Sequence, residues 1–430
     1  MTEGNDKLKP AKSFGTLVRA FRSRNYQLYF LGQGVSLIGT WMQNVALSWL
    51  VYRLTESAFM LGVVGFITQT PMMILTPLTG VLADRWNRYR TMIVTQVSMM
   101  ILALILAILV FTHWISMWQI IVLGCFLGVA NALDAPTRHS FIVQLVDHRE
   151  DLSNAIALNS AMFNSARLIG PSVAGLLIAL TGEGVCFLLN ALSFLAVILA
   201  LLAMKITTQD NISPVKAGIL QELKEGFIYT FGSRPIRLTL LHFAFVALLG
   251  MSFTVLLPIL ATAILKGGPS SLGFLMGAMG VGALLSSILM AAREDTRGLW
   301  KIAGASSTIF GLGLIALSRS HSFILSLILM VIIGFGMVTI MTASNTFLQT
   351  NIEDSKRARV MAFYLLSFFG TMPFGNLITG TIAHSIGVPT TILLAGIFSL
   401  LGSLVFTLRF SSYLKKEKIK TGPGSTDYAD

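Results

Sequence analysis

Charge is what this sequence has least of. Asp, Glu, Lys and Arg make up 12% of its 430 residues, against about 25% in a soluble domain. Apolar residues make up 54%, and mean hydropathy is +0.76. A chain of this length cannot solvate so apolar a surface, which excludes a soluble fold and leaves an all-α integral membrane protein. Cysteine is nearly absent. Cys125 and Cys186 both fall in apolar stretches, which excludes a disulfide framework and a metal centre. P-loop, H-E-x-x-H and G-x-S-x-G motifs are missing, so neither an ATPase nor a membrane hydrolase has a motif to stand on. No enzyme activity and no cofactor are expected. The N-terminus lacks the pattern of a cleaved signal peptide.

Apolar runs, by contrast, are abundant. Twelve read as bilayer crossings, each near the ~20 residues a span needs: 26–52, 59–82, 91–111, 117–143, 155–180 and 185–204, then 238–265, 272–292, 302–317, 323–348, 360–386 and 390–408. The organisation follows: a basic tail with an interfacial helix at 1–25, six spans over 26–204, a linker at 205–236, six spans over 237–409 and a tail at 410–430. Within the linker, Leu220, Leu223, Phe227 and Phe231 recur at helical spacing opposite Gln221, Glu222, Lys224 and Glu225. That predicts an amphipathic helix on the membrane surface.

Basic residues fall on one side of this topology. All but four of the 31 lysines and arginines (Arg53, Arg167, Lys266 and Arg319) lie in the tails, the linker or loops on the same face. The bias places both termini in the cytoplasm. It also accounts for the net charge of +12 without nucleic acid. A shift of 205 residues lays Gly170, Gly175 and Gly182 on Gly375, Gly380 and Gly387. The two sets of six spans therefore read as parallel repeats, the plan of a transporter with its site between halves.

The hairpin of spans four and five, Asn131 to Gly175, holds charges inside apolar segments. A carboxylate or guanidinium in hydrocarbon is costly and marks a functional candidate. Asn131, Asp134 and Arg138 share one face of span four; Ser160, Asn164, Arg167 and Pro171 share one face of span five. Counted from the outer ends, Asp134 lies roughly 24 Å deep and Arg167 roughly 20 Å deep. An Asp134–Arg167 pair is feasible and competes with the local pair to Arg138. Two readings follow: a proton site that makes and breaks the pair, or a permanent clamp between the spans. Gln33 and Asn44 with nearby Trp41 on span one, together with Asn131, Asn164 and Phe335, are candidates to line a substrate cavity.

Gly80 to Arg90 reads G-V-L-A-D-R-W-N-R-Y-R, between spans two and three. This resembles the G-x-L-A-D-R-x-G-R loop of the major facilitator superfamily. The resemblance implies twelve helices in two six-helix pseudo-symmetric bundles, and a conformational latch made by Gly80, Asp84, Arg85 and Arg88. Asn87 stands where that family usually has Gly, and is expected to hold a left-handed bend. R-N-Y-Q-L-Y-F-L-G-Q from Arg24, G-T-W-M-Q at Gly39–Gln43, D-A-P-T-R at Asp134–Arg138 and N-A-I-A-L-N-S at Asn154–Ser160 resemble the branch of enterobactin exporters and macrolide efflux proteins. Gly170-Pro171 with Gly175 is similar to the antiporter signature of span five. Gln119 to Gly128 has no arginine, unlike many drug antiporters of the superfamily.

The sequence therefore reads as a monomeric, multi-pass secondary transporter of the inner membrane, exporting an amphipathic small molecule. Siderophore-like or antibiotic-like cargo, and a proton as coupling ion, are what the resemblance and the buried charges imply. An importer of a siderophore or lysophospholipid on the same fold, and a non-transporting scaffold protein, are the alternatives.

Overall fold

The computed structural model describes residues 19–83, 87–205, 219–293 and 295–421. Asp84 and Arg85 lie outside them, as do the side chains of Leu220 and Leu223. Eleven helical segments among the described residues are long and apolar enough to cross a bilayer. The helix Arg24–Thr55 precedes them. It carries Gln27, Gln33, Gln43 and Asn44 and is too polar to count by hydropathy alone. Its contacts with spans five and six make it span one of twelve.

Spans two to six are Ala58–Ala83, Arg88–Phe111, Met117–Phe141, Leu152–Thr181 and Glu183–Ala203. In the second half, span seven is Arg234–Ile264, and spans eight to ten are Pro269–Ala292, Leu299–Arg319 and Phe323–Thr350. Span eleven is formed by Asp354–Phe369 and Met372–Ile386, and span twelve by Val388–Thr421. Each expected crossing is found. Spans seven and eleven are not continuous α-helices. Span seven passes through π turns at Val246–Gly250 and Leu260–Ile264, with a 3-10 stretch at Met251–Leu256. Pro258 removes a backbone donor there. Span eleven breaks at Gly370-Thr371, before Pro373.

Short turns bind consecutive spans. Gly182 joins spans five and six at φ +83°, and Gly387 joins spans eleven and twelve at φ +85°. Such φ values favour glycine. Asn87 does not take the left-handed conformation expected of it. It sits at φ −64° and caps span three, its side chain accepting from the Arg90 N–H at 3.1 Å. A cap oxygen satisfies a donor that the helix start leaves free.

In the first half, span one packs on five and six, two on four, and three on four and six. In the second half, span eight packs on ten, and nine on ten and twelve. The halves meet mainly through span five on span eight and span two on span eleven. We call the membrane side of the linker helix the linker face, and the side of Gly182 and Gly387 the far face. A Cβ built on Gly175 would stand 2.8 Å from the Gly273 Cα; one on Gly380 would stand 2.8 Å from the Gly62 Cα. Each of these four glycines lies within about 9 Å of its helix's far end. Absent side chains are what let helix backbones approach so closely.

The repeat legible as three aligned glycines is therefore structural. Gly170 backs onto Trp41 and Ile38 of span one, while Gly375 backs onto Leu248 and Ser252 of span seven. Gly175 and Gly380 seat the opposite half, and Gly182 and Gly387 turn the chain.

The linker helix Ile219–Gly232 lies against the start of span eleven. The rings of Phe227 and Phe231 lie 4.5 Å apart at a tilt, each 6.1 Å from Phe363, and Arg359 donates to Glu225 at 2.9 Å.

Candidate functional site

Span four begins at Ser116, whose N–H bonds the Gln119 side chain at 2.8 Å, and carries Asp134 into the first half. Asp134 is 3% exposed. Gln96 of span three donates to Asp134 Oδ1 at 2.9 Å, and Thr95 at 3.1 Å. Arg138, one turn along, places Nε 3.6 Å from Oδ2. Of the two pairings open to Asp134, the local one forms. Asp134–Arg167 does not form; the carboxylate bonds span three rather than span five. Gln96 was legible as a polar residue in an apolar helix; Thr95 was missed, although it adjoins Gln96.

Around this carboxylate the interior is polar. Tyr29 donates to Asn159 Oδ1 at 3.4 Å and Tyr26 to the Ala155 carbonyl at 2.9 Å, tying span one to span five. Ser23 closes the linker-face end by donating to the Leu145 carbonyl at 2.5 Å.

Arg167 has a different neighbour. It sits halfway along the 30-residue span five, about 22 Å from either end. Its guanidinium lies 5.4 Å from the centre of the Trp41 ring, a cation–π contact. Trp41 in turn meets Phe163 at 6.0 Å, edge to face. Arg167 makes no ion pair with any described residue, and its buried Nε lacks an acceptor. Its carbonyl is 2.9 Å from a Cβ built on Gly280 of span eight. The seam between spans five and eight thus runs from Gly175 and Gly273 down to Arg167. One and two turns nearer the linker face, Phe163 and Ser160 are exposed and Asn164 is half-buried.

The remaining candidates are dispersed. Gln33 is buried with Oε1 unpartnered, and Asn44 is exposed on span one. Asn131 returns its amide to the Leu127 carbonyl at 3.0 Å, as Asn164 does to Ser160 at 2.9 Å. Phe335 is half-buried on span ten. Phe253 and Phe347 are core residues at 0% and 4% exposure. His242 is also buried; it bonds Ser307 at 2.9 Å and stacks on Phe406. Of the latch, Gly80 lies on the last turn of span two and Arg88 opens span three. Asp84 and Arg85 fall outside the described residues.

Comparison with known proteins places this geometry in a lineage. The chain is 26% identical to the staphyloferrin A transporter of Staphylococcus aureus over 88% of its own length and 94% of the relative's. It is 20% identical to macrolide efflux protein A of Streptococcus pyogenes over 86% and 93%. It is 22% identical to the multidrug efflux pump Tap of Mycolicibacterium fortuitum over 83% and 88%. Its fold matches a bacterial homologue of the lysosomal transporter Spinster, in an inward-facing, occupied form, at TM-score 0.71 and 14% identity, covering 92% and 98%. The nucleoside transporter NupG matches at TM-score 0.68 and 12% identity, covering 90% and 98%. The model of transmembrane secretion effectors matches residues 16–421. The chain belongs to the transmembrane secretion effector family of major facilitator transporters.

Proposed function

We propose that this transporter is an ion-coupled exporter of an amphipathic small molecule, siderophore-like or antibiotic-like, working by alternating access in the inner membrane. One observation carries the reading. The close glycine approaches between halves lie between the far face and the depth of Arg167. On the linker side of Arg167, span five leaves Ser160 and Phe163 uncovered. With the basic loops in the cytoplasm, that opening faces the cytoplasm and loads substrate for export. Rocking the halves apart at the glycine seam and together at the linker face releases it outside. The names of the siderophore transporter and the efflux pumps support the substrate class.

Asp134 is the proposed proton site. It is buried, and the hydrogen bonds it accepts from Thr95 and Gln96 join spans three and four around it. The test is flux into everted membrane vesicles under an imposed pH gradient, with staphyloferrin A and a macrolide as probes. Uphill accumulation of either, abolished by collapsing the gradient, is the expected result. Uptake into right-side-out vesicles instead would make the protein an importer, and no flux of any kind would reject transport of these classes.

A further inference from the structure

Four other arginines are already matched by protein carboxylates. Arg138 pairs with Asp134, Arg53 with Glu183, Arg359 with Glu225 and Arg19 with Asp151. Arg167 is the exception at mid-membrane depth among the described residues. A guanidinium in hydrocarbon is costly, and a ring quadrupole replaces only part of its lost hydration. Among the described residues no carboxylate pairs with it, and Asp134 is engaged by Thr95, Gln96 and Arg138. An arginine left in this position needs an acceptor that is not part of the chain.

Its surroundings say what that acceptor is attached to. The residue occupies the inner end of the span five–span eight seam, where the uncovered face of span five begins. Phe163 and Trp41 form an aromatic corner beside it. Asn164 and Ser160 continue the same helical face toward the linker side, within reach of polar groups. A guanidinium fork matches the two oxygens of a carboxylate or phosphate, and the aromatic corner matches an apolar body.

We propose that Arg167 is the substrate's anion receptor, and that the transported molecules carry an oxyanion, a carboxylate or a phosphate, next to an aromatic or aliphatic body. This rests on the reading of the chain as a transporter of amphipathic molecules. When the oxyanion arrives, Arg167 exchanges a ring face for a charge-assisted bidentate contact, and Trp41 becomes free to stack on the substrate. Because Arg167 lies on the seam with Gly280, an occupied site also bears directly on how the two halves meet there.

The experiment is equilibrium binding to the purified protein in nanodiscs, read by probe fluorescence. The probes are dansyl-glutamate with its dimethyl ester, and 1-naphthyl phosphate with its dimethyl ester. The parent is expected to bind at least one acid tenfold or more tightly than its ester, and which acid separates carboxylate from phosphate. Arg167→Gln is expected to bind acid and ester alike, while Arg167→Lys retains part of the preference. The melting temperature of Arg167→Gln should equal or exceed the parent's, since an unpaired charge at mid-membrane depth is removed. Esters that bind the parent as tightly as the acids overturn the proposal, with no variant needed. So does an Arg167→Gln protein that keeps the acid preference. Binding of neither class overturns instead the amphipathic-substrate reading beneath it.

Discussion

At the scale of the residue, Asp134 can be separated into its structural and its chemical parts. Asparagine retains an oxygen to accept from Gln96 and Thr95, so Asp134→Asn keeps the link between spans three and four. Only the charge facing Arg138 is lost, and the expected loss of stability is about 1–2 kcal/mol. Asp134→Ala strands Arg138 in the same way and leaves the two buried donors unmatched as well, at about 3–5 kcal/mol. Thermal melts of the two variants check this ordering. Since Arg167 leans on Trp41 rather than on Asp134, neither change strands it. Stability therefore does not distinguish a coupling aspartate from a structural one, but transport does. Asp134→Asn is expected to exchange substrate across the membrane at near the parent's rate while losing gradient-driven accumulation. Accumulation equal to the parent's would exclude Asp134 as the proton site.

At the scale of the element, the linker helix combines a cheap contact with a valuable one. Glu225 and Arg359 are both partly exposed, with side chains 52% and 36% accessible, and such pairs are worth about 0–1 kcal/mol. Phe363 is half-buried against both Phe227 and Phe231. Phe363→Ala is expected to expose the helix to protease added at the linker face several-fold faster, and Glu225→Gln to change digestion little. Equal rates for both would mean that the rings do not dock the helix. The spans were legible because hydrocarbon demands about 20 apolar residues per crossing, and Gly182 and Gly387 only as members of the repeat, their φ near +85° being a matter of local backbone. The π turns of span seven were not legible, since Val246–Gly250 is as apolar as any helix and its backbone shift is decided by neighbours. Arg167's partner was hidden for a related reason. Helical depth follows from counting residues, whereas rotation about the helix axis follows from packing. Two charges at one depth can face different helices, as Asp134 and Arg167 do.

At the scale of the whole molecule, the two halves are held at the far face by glycine contacts related by the repeat, and this makes a symmetric prediction. Leucine at Gly175 meets the backbone of span eight, and leucine at Gly380 meets the backbone of span two. Overpacking of this kind costs about 1–3 kcal/mol, but only in the state whose far face is closed. A bias of about 2 kcal/mol moves a two-state ratio roughly thirtyfold. Each substitution should therefore push the transporter toward the opposite opening, with the linker face shut over span five. Ser160 is exposed on that face, so a Ser160→Cys reporter measures the shift, in a background where the exposed Cys125 is replaced by serine. Its labelling by an impermeant maleimide is expected to slow by a similar factor in Gly175→Leu and Gly380→Leu. Gly232→Ala is the control, because a Cβ there meets nothing within 4 Å. Unchanged labelling in both leucine variants would mean that the seam does not hold the linker face open. A fall in only one would mean that the halves, though built alike, do not share the load of closure.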